Sequence, residues 1–198
     1  MVKDTVKPAR LVVGISGASG VIYGVRLLER LKGLGVESHL VLSRAAEMTL
    51  GYETALKPVE VRSMASKSYA VGDIGAPIAS GSFATLGMII APCSIKTMSE
   101  IATGVTATLM SRAADVALKE RRPLVLMVRE TPLHTGHLKT MLALSEMGAI
   151  IAPPVPAFYA EPNTIEDLIQ QSIGRALDLF GLDVPQTQRW GETVGPKG

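Results

Sequence analysis

Hydroxyl side chains and glycines gather at three points where an apolar run stops. The first lies in "LVVGISGASGVIYGVRLLERL", residues 11–31, where Gly14, Gly17 and Gly20 form a G-x-x-G-x-x-G pattern. Backbone N–H groups left free at a helix start, joined by Ser16 and Ser19, suit a phosphate monoester. A dinucleotide fingerprint needs G-x-G-x-x-G and a Walker loop needs G-x-x-x-x-G-K, so neither fits. An adenosine ribose would also require an acid after the second apolar run. Ser43 stands there, in "VLSRAAE", which disfavours NAD. The third point is "APCSIKTMSEIATG", carrying Ser94 and Thr97. One phosphate, a polar chain and no second ribose describe flavin mononucleotide, FMN. Taken singly, each serine reads as a helix cap, Ser19 as that of the first helix. Their recurrence is what points to a ligand.

Charged residues supply the other candidates. Arg129 and Glu130 follow an apolar run in "VRETPLH", as a solvated pair or as part of a site. Arg112 and Lys119 are seven apart in "LMSRAADVALKERRP", hence on nearly one helix face. Asp115 lies between them and can pair with both. A surface salt ladder and a two-cation clamp for a phosphorylated substrate both fit, and spacing alone favours the ladder. His134 and His137 are three apart, but two ligands make a poor metal site, and no metal is expected.

These residues must be placed by strands and helices that alternate. "RLVVGI" (10–15), "ESHLVL" (37–42), "MIIAPC" (88–93), "PLVLMV" (123–128) and "AIIAPP" (149–154) read as strands. Four are nearly continuous apolar runs, as strands buried on both faces of a parallel sheet are. Helices are predicted over 19–34, 43–55, 106–121, 135–147 and 164–181. The last should open with an Asn163–Glu166 capping box and bury a stripe of Ile165, Leu168, Ile169, Ile173, Leu177 and Phe180. Residues 63–86, rich in Gly, Ser and Ala, read as one long irregular loop. The fold class is α/β: a single-domain, Rossmann-like (flavodoxin-like) doubly wound parallel sheet with helices on both faces. Ligands in such sheets gather beyond the carboxyl ends of the strands. The domain should span 10–182, with an N-terminal extension at 1–9 and a C-terminal tail at 183–198 docking through Trp190, the only tryptophan.

Composition narrows the class. The chain of 198 residues is 47% hydrophobic and 4% aromatic, enough for one aliphatic core. Net charge is +2 with the signs interspersed, so no nucleic-acid stripe is expected. No apolar run reaches the roughly 20 residues of a membrane span. The polar start "MVKDTVKPAR" lacks a signal-peptide centre, and one cysteine, Cys93, suits a reducing compartment. A cytoplasmic protein is expected.

"GISGASGVIYGVRLLE", "SGSFATLGMIIAPCSIKT", "SRAADVALKERRPLVLMVRETPLH", "PPVPAFY" and "RWGE" resemble the UbiX family of flavin prenyltransferases, from about residue 10 to 192. The resemblance implies transfer of a dimethylallyl group from dimethylallyl phosphate to N5 and C6 of reduced FMN, without a metal. The product, prenylated FMN, would serve a UbiD-type decarboxylase, and the chain would form a homo-oligomer, a dodecamer. By the same resemblance, Gly17, Ala18, Ser19, Ser43, Ser94, Ile95, Lys96, Thr97 and Arg129 contact FMN. Arg112, Lys119, Tyr159, Arg175 and Trp190 bind the prenyl phosphate. Ser19, Glu53, Glu130 and Lys119 take part in the chemistry, with helix capping the alternative role for Glu53. The clamp thereby gains over the salt ladder. Ile74 stands where some relatives carry a tryptophan. Two other classes fit less well. A flavin-dependent cysteine decarboxylase needs a catalytic histidine near the start and an asparagine-containing motif in the middle, and Glu53 and "CSIKT" stand instead. An FMN carrier leaves Arg112, Lys119 and Arg175 unexplained.

Overall fold

Strand β1 (Arg10–Ile15) shows how the sheet is built. Its side chains alternate, so Leu11, Val13 and Ile15 enter one core and Val12 enters another. The sheet therefore has apolar layers on both faces, and the computed structural model, which describes residues 8–195, follows from that. Residues 1–7 of the expected extension and 196–198 of the expected tail lie outside the described residues.

After β1 come α1 (Val21–Gly33), β2 (Glu37–Leu42), α2 (Arg44–Glu53), α3 (Pro58–Met64) and β3 (Lys67–Tyr69). Then follow β4 (Met88–Cys93), α4 (Ile95–Ala102), α5 (Leu109–Lys119) and β5 (Leu124–Val128). The described chain continues through α6 (Thr135–Glu146), β6 (Ile150–Ile151) and α7 (Ile165–Asp178). All strand pairs are parallel, in the order β3-β2-β1-β4-β5-β6. Without the short β3 the order is that of flavodoxin; with it, that of the dinucleotide-binding sheet. In both, the chain reverses direction across the sheet between β1 and β4, which opens a crevice at their carboxyl ends.

Helices α1, α2, α3 and α7 pack on one face, around Val25, Leu28, Leu50, Ile173 and Leu177. Helices α4, α5 and α6 pack on the other, around Met98, Leu109, Ala114 and Leu144. Each buried Val, Leu, Ile or Met side chain among these contributes about 1.5–3 kcal/mol.

Several elements differ from expectation. The stretch 63–86 is not one irregular loop: it holds the end of α3, the strand β3 and a 3-10 turn at Pro77–Ala79. Helices α3 and α4 also add to those predicted. A three-residue edge strand is too short to show a period, and Pro58 opens α3 at the position where proline is tolerated. Strand β6 is two residues long, not six, because Pro153 and Pro154 bring no N–H to a ladder. The α7 cap is Thr164 with Asp167: Thr164 Oγ1 accepts from Asp167 N at 3.1 Å and Asp167 Oδ2 accepts from Thr164 N at 2.9 Å. Glu166 instead binds Arg26 at 3.0 Å. Ile165 is 77% exposed, so the buried stripe starts at Ile169. Ser19 does not cap α1; Gly20 does, at φ 92, a left-handed conformation that glycine adopts without strain.

Candidate functional site

Parallel register brings the strand ends level, with Ile15 opposite Leu42 and Gly14 opposite Ile90. Ser16 sits in the crevice between β1 and β4. It donates to the Pro92 carbonyl at 2.9 Å and accepts from Ser94 N at 2.7 Å. Ser43 N donates to the Ile15 carbonyl at 3.0 Å. Ser43 caps α2 by accepting from Ala46 N at 3.1 Å, and Ser94 caps α4 by accepting from Thr97 N at 3.3 Å. The Ser94 and Thr97 hydroxyls also pair at 3.2 Å. The helix-cap reading of these two serines is therefore correct, and the caps lie side by side above the sheet. Gly17 and Ala18 line the same loop. Ser19 is exposed, and among the described residues its hydroxyl has no partner.

Three of the backbone donors at the start of α1, those of Ala18, Gly20 and Val21, are already taken, while among the described residues Gly17 N and Ser19 N have no partner. Ala18 N donates to the Ser16 carbonyl at 2.9 Å. Gly20 N and Val21 N both donate to Glu53 Oε2, at 2.8 and 3.1 Å. A carboxylate at the positive end of a helix is well placed electrostatically. Glu53 thus caps α1 from the end of α2, and one of its oxygens faces the loop that carries Ser19. Sequence periodicity carries no sign of this, because the partners are 33 residues apart.

Of the remaining strand-end residues, Lys96, Arg129 and Glu130 are exposed and Ile95 is half-buried. Ile95 and Lys96 start α4, and Lys96 pairs with Glu100 at 2.5 Å. Arg129 N donates to the Cys93 carbonyl at 3.0 Å, leaving its exposed guanidinium beyond β5. Glu130 Oε1 accepts from Thr131 N at 2.9 Å. His134 and His137 stack at 3.6 Å between ring centroids. Among the described residues no three His, Cys, Asp or Glu side chains group as metal ligands. Cys93 is fully buried, and burial pushes its thiol up to about 12, so it is no nucleophile at neutral pH.

A second cluster sits on α7 and the tail. Tyr159 and Trp190 meet edge to face at 5.9 Å. With Arg175, Gln188, Arg189 and Glu192 they line a cleft of about 260 Å³. Asp178 holds both Arg175 and Arg189, the latter at 2.8 Å to each oxygen. Burial pushes the Asp178 carboxyl up, but the two guanidinium groups outweigh it and hold it below the ordinary carboxylate range. A smaller apolar hollow of about 150 Å³, walled by Met127, Pro154, Val155 and Leu179, adjoins Arg175. Cation, aromatic faces and apolar hollow together suit an anion with a short hydrocarbon group.

Arg112 and Lys119 form a third group on α5. Arg112 reaches the Ala79 carbonyl at 3.2 Å and Asp115 at 2.6 Å. Lys119 pairs with Glu120, not with Asp115, so the expected three-residue ladder is two separate pairs. The hydrogen bond from Lys119 holds the Glu120 carboxyl below its usual range. Gly81 makes room for this pair: a Cβ there would lie 2.0 Å from Glu120 Oε1 and 2.7 Å from Lys119 Nζ. Arg122 pins the same loop through the Phe83 and Gly81 carbonyls, at 2.8 and 2.6 Å. Helix α5 and helix α7 belong to opposite faces of the sheet. One chain therefore joins Tyr159, Arg175 and Trp190 but leaves Arg112 and Lys119 apart from them.

Sequence reasoning missed Gln171, Asp178 and Arg189. Gln171, Gly174 and Asp178 recur at i, i+3 and i+7, and two polar residues flanking a glycine on one helix face were the available signal.

The Flavoprotein family model matches residues 2–176. The flavin prenyltransferase UbiX of Thauera aromatica is 55% identical over 181 residues, 91% of this chain and 93% of that protein. The crystal structure of AnUbiX (PadA1) in complex with FMN and dimethylallyl pyrophosphate superposes with a TM-score of 0.92 at 50% identity, covering 93% of this chain and 98% of that one. A dodecameric FMN-dependent UbiX-like decarboxylase from Escherichia coli O157:H7 superposes with a TM-score of 0.89 at 48% identity, covering 91% and 98%.

Proposed function

The chain belongs to the UbiX family of flavin prenyltransferases, and we propose that it prenylates reduced FMN at N5 and C6. The observation that carries this reading is the likeness to a solved relative holding both FMN and a dimethylallyl donor. The donor set of this chain fits the flavin: capped helix starts at Ser43 and Ser94, an unpartnered Ser19 hydroxyl and the exposed Arg129 converge at strand ends. Reduced FMN supplies an electron-rich N5 as the nucleophile. The protein's task is to place that atom and to stabilise charge. Gly17, Ala18, Ser19, Ser43, Ser94, Ile95, Lys96, Thr97 and Arg129 hold the flavin. Tyr159, Trp190 and Arg175 bind the prenyl phosphate, the arginine taking up charge on the departing phosphate. Glu53 orients the Ser19 loop, and the base for the C6 proton is either Glu130 at the strand end or the released phosphate held against Lys119 and Arg175.

Arg112 and Lys119 complete the clamp in a neighbouring copy, since the sheet stands between α5 and α7 in one chain. The oligomer is then a requirement of the chemistry, and a dodecamer like that of the Escherichia coli relative satisfies it. The prenylated flavin would pass to a UbiD-type decarboxylase. Among the described residues no helix is long and apolar enough to cross a membrane.

The test incubates the protein with reduced FMN and either dimethylallyl phosphate or its diphosphate, then weighs the extracted flavin. A bound flavin unchanged in mass with both donors would refute the reading. Lys119→Ala should keep FMN binding and lose transfer. Coexpressing Lys119→Ala and Arg175→Ala chains should restore part of the activity, because some sites then draw an intact half from each. No recovery would sink the shared site.

A further inference from the structure

Three contacts lay the tail along α7. Gln171 is 6% exposed and spends both ends of its amide on one residue. Its Oε1 accepts from Gln188 N at 2.9 Å, and its Nε2 donates to the Gln188 carbonyl at 2.9 Å. One turn on, Gly174 lets the buried Thr187 approach: a Cβ at Gly174 would sit 1.9 Å from Thr187 Oγ1. A further turn on, Asp178 grips Arg189 through two bonds of 2.8 Å, and Arg189 also reaches Asp183 at 2.8 Å. Residues 187–189 are thus fixed, and Trp190 follows them directly. Trp190 itself is 62% exposed, so its own burial does not place it. The Gln171 Nε2 also lies 3.5 Å from the Tyr159 hydroxyl. One amide therefore reaches the tyrosine of the aromatic pair directly and fixes the backbone of Gln188, two residues before the tryptophan.

We propose that Gln171 is a positioning residue that holds Tyr159 and the Trp190 tail together over Arg175, and so sets binding of the prenyl phosphate but not of the flavin. The ligand's identity rests on the function proposed above. An amide suits the task because it donates and accepts from one rigid plane; a carboxylate only accepts, and a thioether offers no donor.

The test uses the full chain with Gln171→Met and Gln171→Glu. Trp190 is the only tryptophan, so acrylamide quenching of its fluorescence reports the tail alone. In Gln171→Met, quenching should rise and KM for dimethylallyl phosphate should rise about tenfold, as expected for lost buried hydrogen bonds. The dissociation constant for FMN should stay within about twofold of the native value, because the flavin-holding groups lie at the strand ends and make no bond to Gln171. Gln171→Glu should behave likewise at neutral pH and recover as the pH falls, since a protonated carboxyl regains the donor. Native quenching in both variants overturns the proposal, as does an FMN affinity lowered as much as that for the prenyl phosphate. Should Gln171→Met fail to fold, the acid-dependent recovery of Gln171→Glu decides. If the native chain binds no prenyl phosphate, the proposed function fails, while quenching still decides whether Gln171 holds the tail.

Discussion

Glu53→Ala removes the shared acceptor of two backbone donors, Gly20 N at 2.8 Å and Val21 N at 3.1 Å. Loss of a helix cap costs about 1–2 kcal/mol, and the lost carboxylate adds about 0.5 kcal/mol through the helix dipole. In a chain of this length each kcal/mol moves the melting midpoint by about 2–4 °C. The Ala variant should therefore melt about 3–10 °C lower, on the sum of these costs. Glu53→Gln keeps an oxygen acceptor but loses the charge, so it should recover about half of that loss. Calorimetry without FMN, at one protein concentration, keeps ligand and assembly from moving the midpoint. Flavin prenylation by the same variants separates two roles. If capping is the whole role, Gln recovers activity in step with its partial recovery of stability. If the carboxylate also acts on the flavin, Gln recovers part of the midpoint and leaves transfer crippled. A midpoint in Glu53→Ala within 1 °C of native, taken as a threshold well below the cap's worth, would refute the structural reasoning.

Gly81→Ala should disturb Lys119 without unfolding the chain. The atoms nearest the added Cβ are the flexible ends of Glu120 and Lys119, so the melting midpoint should hold while prenyl transfer falls as in Lys119→Ala; a large loss of stability would contradict this. The Asp178 carboxyl lies below its ordinary range in the folded chain, so its ionised form stabilises the docked tail. That stabilisation is complete above the unfolded-state value of about 3.9 and is lost as the pH falls through the lower folded value. Acrylamide quenching of Trp190 should accordingly stay flat from neutral pH down to about 4 and rise below it; release of the tail at pH 5–6 would point to a different group. Cys93, buried with its thiol raised to about 12, should resist iodoacetamide at pH 8 until denaturant is added, and rapid labelling of the native chain would contradict its burial.

The sequence by itself determined the parallel core and the capped strand ends. β1, β4 and β5 are buried on both faces, so their apolar runs are continuous, and Ser43 and Ser94 follow directly on strands and cap the next helices. Such signals are local: each depends on residues within one turn or one strand. The resemblance then supplied roles that spacing alone left open, as for Arg112 and Lys119. Only the tertiary structure decided the rest. β3 gains its hydrogen bonds from a neighbour far along the chain, so three residues carry no period of their own. Glu53 caps α1 because α2 ends beside it, across 33 residues of sequence. Gln171 and Asp178 meet the tail only once it folds back along α7. The two cationic groups fall on opposite faces of the sheet because α4, α5 and α6 share one face and the chain returns to the other only after β6, with α7. Contacts of this kind are set by how layers stack, and a linear pattern of residue types records which faces are apolar but not which of them will meet.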